Sequence, residues 1–102
     1  MNDRALNMLG HCARAGKLIT GEKAVVQAIR GGSCQLALLD ENVAKNGDKA
    51  VSQACGTHGV PLLRVEAGKL GDAIGRPGRM AAAVTDAGMA RRIVELVQPT
   101  EG

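Results

Sequence analysis

At 102 residues, 45% hydrophobic and 23% charged, the chain has room for one modest core and has the composition of a globular rather than a disordered protein. It contains no Phe, Tyr or Trp, which argues against the single-strand readers that stack bases on such rings. A net charge of +3 and a pI near 9.0 lean toward an anionic partner, although such a lean is informative only where the cations cluster.

Taken in chain order, Leu6, Leu9 and Ala13 recur at helical spacing between Asp3 and Arg14, with Asn2 or Asp3 as cap and Gly16 as terminator. "KLIT" is expected to be a brief strand or an extended lead into a second helix from about Gly21 to Arg30. That helix turns Ala24, Val25, Ala28 and Ile29 inward and stops at Gly31 and Gly32. "CQLALLD" (34–40) reads as a buried strand, and a helix from roughly Val43 to Thr57 follows, with Ala50, Val51, Ala54 and Cys55 on its inner face. "VPLLRV" (60–65) reads as a second buried strand with Pro61 near its start. A short helix then carries Leu70, Ala73 and Ile74. "GRPGR" is a loop, and "MAAAVT" (80–85) a third main strand despite the low β-propensity of alanine. The last helix aligns Met89, Ile93, Leu96 and Val97, with Asp86 at its positive end. Residues 98–102, "QPTEG", read as a loose tail. Strands alternating with helices imply an α/β domain with helices on both sheet faces.

Several chemistries fail on their residues. "GKLITGEK" has the glycine spacing of a phosphate-binding loop, but Glu22 stands at the lysine position and Lys23 at the hydroxyl position. His11, Cys12, Cys55 and His58 include a metal-like spacing in "CGTH", yet adjacent His11 and Cys12 leave a helix in different directions. Cys12 and Cys55 are expected instead to face each other as core residues of packed helices. The odd number of cysteines argues against a disulfide framework. No nucleophile with an orienting base stands out, and Asp40 and Glu41 read as the end of a strand. Catalysis, metal and cofactor are therefore not expected. No apolar run approaches the roughly 18 residues of a membrane span, the N-terminus lacks a signal-like apolar block, and the expected location is the cytoplasm.

Two places remain. Arg14, Lys17, Lys23 and Arg30 are opposed before Asp40 only by Asp3 and Glu22. Among them Gly21 opens a helix whose unpaired N–H groups and positive dipole end suit a phosphate, and the missing Cβ admits close approach. In "AIGRPGRM", Ile74, Pro77 and Met80 offer aliphatic surface between Arg76 and Arg79, enough to hold an unstacked base while guanidinium groups meet phosphates. The plain alternative is that Gly21 is a turn residue and "RPG" an exposed turn.

The succession "MLGHCARAGKLITGEKAVVQAIRGG" (8–32), "LALLDENVAKN", "GVPLLRV" and "KLGDAIGRPGRMAAAVTDAGMARRI" resembles the ribosomal-protein family whose archaeal and eukaryotic members bind kink-turn RNA. Within it the succession resembles the small bacterial YlxQ-type branch. The likeness runs over about residues 4–97. It implies a three-layer α/β/α sandwich around a small mixed sheet of about four strands, and RNA binding without catalysis. The family grips its bent RNA at the start of the second helix through Gly, one residue, Asn-Glu, two residues and Lys. Here Gly21 matches the glycine, while Lys23, Ala24 and Gln27 stand at the Asn, Glu and Lys places. Ala24 has no acceptor.

A second family contact is the loop after an "LG-x-A-x-G" segment, matched by Leu70, Gly71, Ala73 and Gly75, which covers a flipped-out nucleotide. Asp40 to Asn42 open a loop that also lies near RNA in the family. The resemblance thus implies an RNA-binding set of Thr20, Gly21, Glu22, Lys23, Gln27 and Arg30 with Ile74, Gly75, Arg76, Pro77, Gly78, Arg79 and Met80. Implied partners are structured RNA, kink-turn or ribosomal, and other ribonucleoprotein components, with the chain as a monomer. A rival expectation is an adaptor that docks on protein through Met80 and Ile74.

Overall fold

The computed structural model describes residues 1–97, and the expected tail at 98–102 lies outside them. The elements are α1 (Asp3–Arg14), β1 (Leu18–Thr20), α2 (Glu22–Arg30), β2 (Leu36–Asp40), α3 (Lys45–His58), β3 (Leu62–Val65), α4 (Lys69–Ile74), β4 (Ala81–Val84) and α5 (Ala87–Val97). The strands form one mixed sheet in the order β1-β4-β2-β3. β4 runs antiparallel to both β1 and β2, and β3 runs parallel to β2.

Successive strand side chains point to opposite faces, and here they serve two cores. Leu36 and Leu38 of β2 with Ala82 and Val84 of β4 meet α1, α4 and α5. Ala37 and Leu39 with Ala81 and Ala83 meet α2 and α3. This is the α/β/α sandwich with a small mixed sheet that the resemblance implied. β4 is a strand in spite of its alanines because it lies between two partners and under two helical layers, so pairing and burial override propensity.

The ends of the helices follow local chemistry. Asn2 caps α1, its Oδ1 accepting from the Ala5 N–H at 2.9 Å, and its amide donates to the Leu96 carbonyl of α5 at 2.6 Å. Asp86 Oδ1 accepts from the Met89 N–H at 2.8 Å at the start of α5.

Three expectations are corrected. β3 is an edge strand with Leu62 and Leu63 half-buried, Arg64 exposed and only Val65 buried, because no strand pairs beyond it. α3 begins at Lys45, and its inner stripe is Gly47, Val51, Ala54 and Cys55, leaving Ala50 exposed toward α2. Cys12 and Cys55 do not face each other: the sheet separates them, and the thiol beside Cys55 is Cys34.

Candidate nucleic-acid interface

At the end of β1 the Gly21 N–H donates to the Ala81 carbonyl at 3.1 Å, adding one rung to the β1–β4 ladder. The chain then turns at once into α2, with the Gly21 carbonyl accepting from the Val25 N–H at 2.9 Å. Joining a strand rung to a first helical turn without a linker puts Gly21 at φ +100° and ψ +140°, a conformation essentially reserved for glycine. The residue therefore has a backbone reason besides the close approach expected from the sequence. No side chain caps α2, so its first N–H groups and the positive end of its dipole face outward.

The second candidate stretch arrives from α4. Gly75 ends that helix at φ +72°. The chain then folds back over Gly71: the Arg76 N–H donates to the Gly71 carbonyl at 2.9 Å and the Arg79 N–H to the Arg76 carbonyl at 3.2 Å. A Cβ on Gly71 would lie 2.7 Å from the Arg76 carbonyl oxygen and 3.1 Å from Pro77 Cα, so only glycine allows this fold-back. The path brings Arg79 beside the start of α2, where its Nη1 is 3.4 Å from the position a Gly21 Cβ would occupy. Two stretches nearly sixty residues apart thus share one end of the sheet.

The expected residues divide by place. Thr20, Gly21, Arg76 and Arg79 cluster at the β1–β4 end. Arg76 and Thr20 line a small cavity of about 100 Å³ with Ala13, Leu18 and Ile74. Gly75, Pro77 and Gly78 are exposed around them, and Met80 is half-buried as it leads into β4. Ile74 is a correction. It is 7% exposed and packs in the α1/α4/α5 core, so it reaches the loop only as cavity wall. Lys23, Gln27 and Arg30 are exposed along α2, spanning about 10 Å by helical rise. They line a groove of about 330 Å³ against α3 together with Glu22, Val26, Asn46, Gly47 and Ala50. Glu22 does not join the Gly21–Arg79 face. Its carboxylate lies over Gly47 in the first turn of α3, where the helix dipole favours a negative charge.

Asp40 reads as a strand end in the sequence, yet in the fold it is fully buried. Its carboxylate accepts from the N–H groups of Asn42 at 2.9 Å, Gly68 at 3.1 Å and Leu70 at 3.3 Å. It fixes the starts of the β2–α3 loop and α4, and through α4 the Arg76–Met80 loop. The more distant partners lie 28 and 30 residues away, so only the unusual Asp after four apolar residues hints at the role.

Charge on this surface is available for a ligand. Among the described residues Lys23, Arg30, Arg76 and Arg79 form no ion pair, whereas Arg64 forks onto Asp48 at 2.8 and 2.9 Å. Arg64 together with Ser52 holds the Asp48 carboxyl below the ordinary aspartate range. Burial pushes the Cys34 thiol up to about 11 and raises Cys12 and Cys55 as well, so all three are protonated, poorly nucleophilic core groups at neutral pH. Among the described residues no three His, Cys, Asp or Glu side chains gather as metal ligands, and no helix is long and apolar enough to cross a membrane.

A model of the ribosomal protein L7Ae/L30e/S12e/Gadd45 family matches residues 3–94. The RNA-binding protein YlxQ of Bacillus subtilis (strain 168) is 37% identical over 91 residues, covering 88% of this chain and 91% of its own length. The RNA-binding protein YlxQ of Enterococcus faecium is 29% identical over 96 residues, covering 93% and 92%. Among solved structures, a protein of unknown function from Bacillus halodurans aligns at a TM-score of 0.88 and 34% identity, covering 93% of this chain and 97% of that one. A Giardia lamblia 15.5kD RNA binding protein aligns at 0.75 and 20% identity, covering 95% and 90%, a likeness of fold alone. The resemblance read from the order of the motifs is borne out.

Proposed function

The chain belongs to the ribosomal protein L7Ae/L30e/S12e/Gadd45 family, and on that premise we propose that it binds structured RNA of the kink-turn class, ribosomal or otherwise, as a single cytoplasmic domain over residues 1–102. Its role is binding rather than catalysis. The bent backbone lies against Gly21, where the N–H groups and dipole of α2 meet phosphate without an intervening Cβ. Lys23 and Arg79 add charge on either side, and Gln27 and Arg30 continue the contact along α2. An extruded nucleotide rests on the aliphatic surface of Pro77 and Met80, with Gly75 and Gly78 shaping the loop and Arg76 reaching its phosphate. With no Phe, Tyr or Trp in the chain, that nucleotide is held by packing and hydrogen bonds instead of stacking on such a ring.

The observation that carries this reading is the approach of Arg79 to Gly21, which makes one surface of the two stretches. The names of the Bacillus and Enterococcus relatives point the same way. The adaptor reading loses ground to it. Ile74 is buried, and among the described residues no large apolar side chain is exposed, so this surface lacks an apolar anchor for a protein partner. If Lys23, Arg30, Arg76 and Arg79 each neutralise one phosphate, the logarithm of affinity falls with the logarithm of salt at a slope of about −3 to −3.5. Titrating a kink-turn RNA and a plain duplex of equal length across salt tests the proposal. Tighter binding of the kink-turn at every salt supports it, and equal affinities refute it.

A further inference from the structure

A second basic surface lies on the other helical layer. α1 and α5 pack together, tied by the Asn2 amide on the Leu96 carbonyl, and a groove of about 350 Å³ runs between them. Its walls are Arg4, Asn7, Met8 and His11 of α1 with Arg92 and Leu96 of α5. The α1 residues follow the spacing i, i+3, i+4 and i+7, which puts them on one helix face over about 10 Å. Met8 and Leu96 are half-buried and form the floor, while Arg4, Asn7, His11 and Arg92 are exposed at the rim. Among the described residues no carboxylate lines the groove. Asp3 lines a neighbouring one that shares Asn7, and Glu95 is exposed on α5 three residues past Arg92 and next to Leu96. Among the described residues neither Arg4 nor Arg92 is in an ion pair.

We propose that the α1–α5 groove is a second RNA-backbone site, so that the protein holds two RNA segments at once. Arg4 and Arg92 both line this groove, and each guanidinium can fork onto a phosphate beside the Asn7 amide and the His11 imidazole. Packed helices fill the space between their axes with side chains, so the groove is a furrow on the surface along which one sugar–phosphate strand can lie. A protein partner fits less well, because the chain has no Phe, Tyr or Trp and the apolar floor is recessed behind a polar rim. The groove belongs to the layer of α1, α4 and α5, and the α2 surface to the opposite layer, so one does not obstruct the other. This inference goes beyond the proposed function and shares with it only the class of partner.

The test uses the full chain, a one-to-one complex with a kink-turn RNA, and a labelled plain RNA duplex. The complex is expected to capture the duplex at low salt. Arg4→Glu with Arg92→Glu should weaken that capture about tenfold and make its salt slope shallower by about two, leaving kink-turn affinity within about twofold. Arg4→Gln with Arg92→Gln should give an intermediate loss, and thermal melts confirm that the variants are folded. Lys23→Glu with Arg79→Glu should weaken the kink-turn complex and spare duplex capture. If this last pair leaves kink-turn affinity unchanged, the proposed function fails while the groove is still judged by duplex capture on the free protein. The groove proposal is overturned if the duplex is not captured, if the Glu pair captures it as well as the natural chain, or if only the Glu pair and not the Gln pair has an effect. It is also overturned if polyglutamate displaces the duplex as efficiently as unlabelled RNA, which would mark an acidic protein as the occupant.

Discussion

Gly21→Ala puts a methyl group on a backbone held at φ +100° and ψ +140°. Keeping a non-glycine residue there costs about 1–3 kcal/mol. The substitution also stiffens the unfolded chain, which returns about 0.4–1 kcal/mol. The new Cβ meets Arg79 Nη1 at 3.4 Å, an ordinary contact with the movable end of a side chain, so it adds little. The net loss lies between about 0 and 2.6 kcal/mol, or up to roughly 20 °C in Tm for a domain of this size. Denaturant unfolding reads the stability, and RNA titration at a temperature where both proteins are folded reads the binding. Affinity for kink-turn RNA should fall at least tenfold, because the methyl stands between the backbone phosphates and the first N–H groups of α2. Arg79→Ala is the companion: an exposed residue whose loss changes stability by no more than about 0.5 kcal/mol but weakens binding. A Gly21→Ala variant more stable than the natural protein would refute the backbone argument, and a folded one that binds RNA equally well would refute the close approach.

Gly71→Ala forces a Cβ to within 2.7 Å of the Arg76 carbonyl oxygen, so the loop must move. The expected cost is about 1–3 kcal/mol, read by denaturant unfolding, with a loss of RNA affinity although Gly71 itself is buried. Asp40→Ala strands three backbone donors and should cost about 3 kcal/mol or more, while Asp40→Asn, which keeps one acceptor oxygen, costs less. The three buried thiols, with Cys34 raised to about 11, should react with a thiol-specific reagent at neutral pH only as fast as the protein unfolds. A rapid reaction of the native chain would contradict their burial.

Much of this is legible in the residue order. Helical spacing marks α1, α2 and α5, and the continuous apolar runs mark β2 and β4, because each signal is local. What escapes depends on pairing between distant segments. Nothing in "VPLLRV" says that its neighbour is present on one side only, so β3 reads as buried. Ala44 offers no capping side chain, which lets the start of α3 slip by two residues and puts Ala50 where Gly47 belongs. Which sheet face a helix covers is set by the crossovers, so Cys12 and Cys55 can be assigned to cores but not to different ones. Both halves of the candidate site are visible as stretches, and their meeting follows from β1 pairing with β4. Ile74 stands four residues after buried Leu70 on one helix face, and that spacing is the available sign that it serves the core.

On the proposed function, the Gly21–Arg79 surface recognises a bent RNA and not merely negative charge. Measuring affinity for a kink-turn RNA and for a plain duplex of equal length across salt tests it most directly. The account predicts a preference for the kink-turn that persists as salt rises, with a slope of about −3 to −3.5 for its four cations, and a loss of that preference in Lys23→Glu with Arg79→Glu. Equal affinity for the two RNAs, falling together with salt, would contradict it.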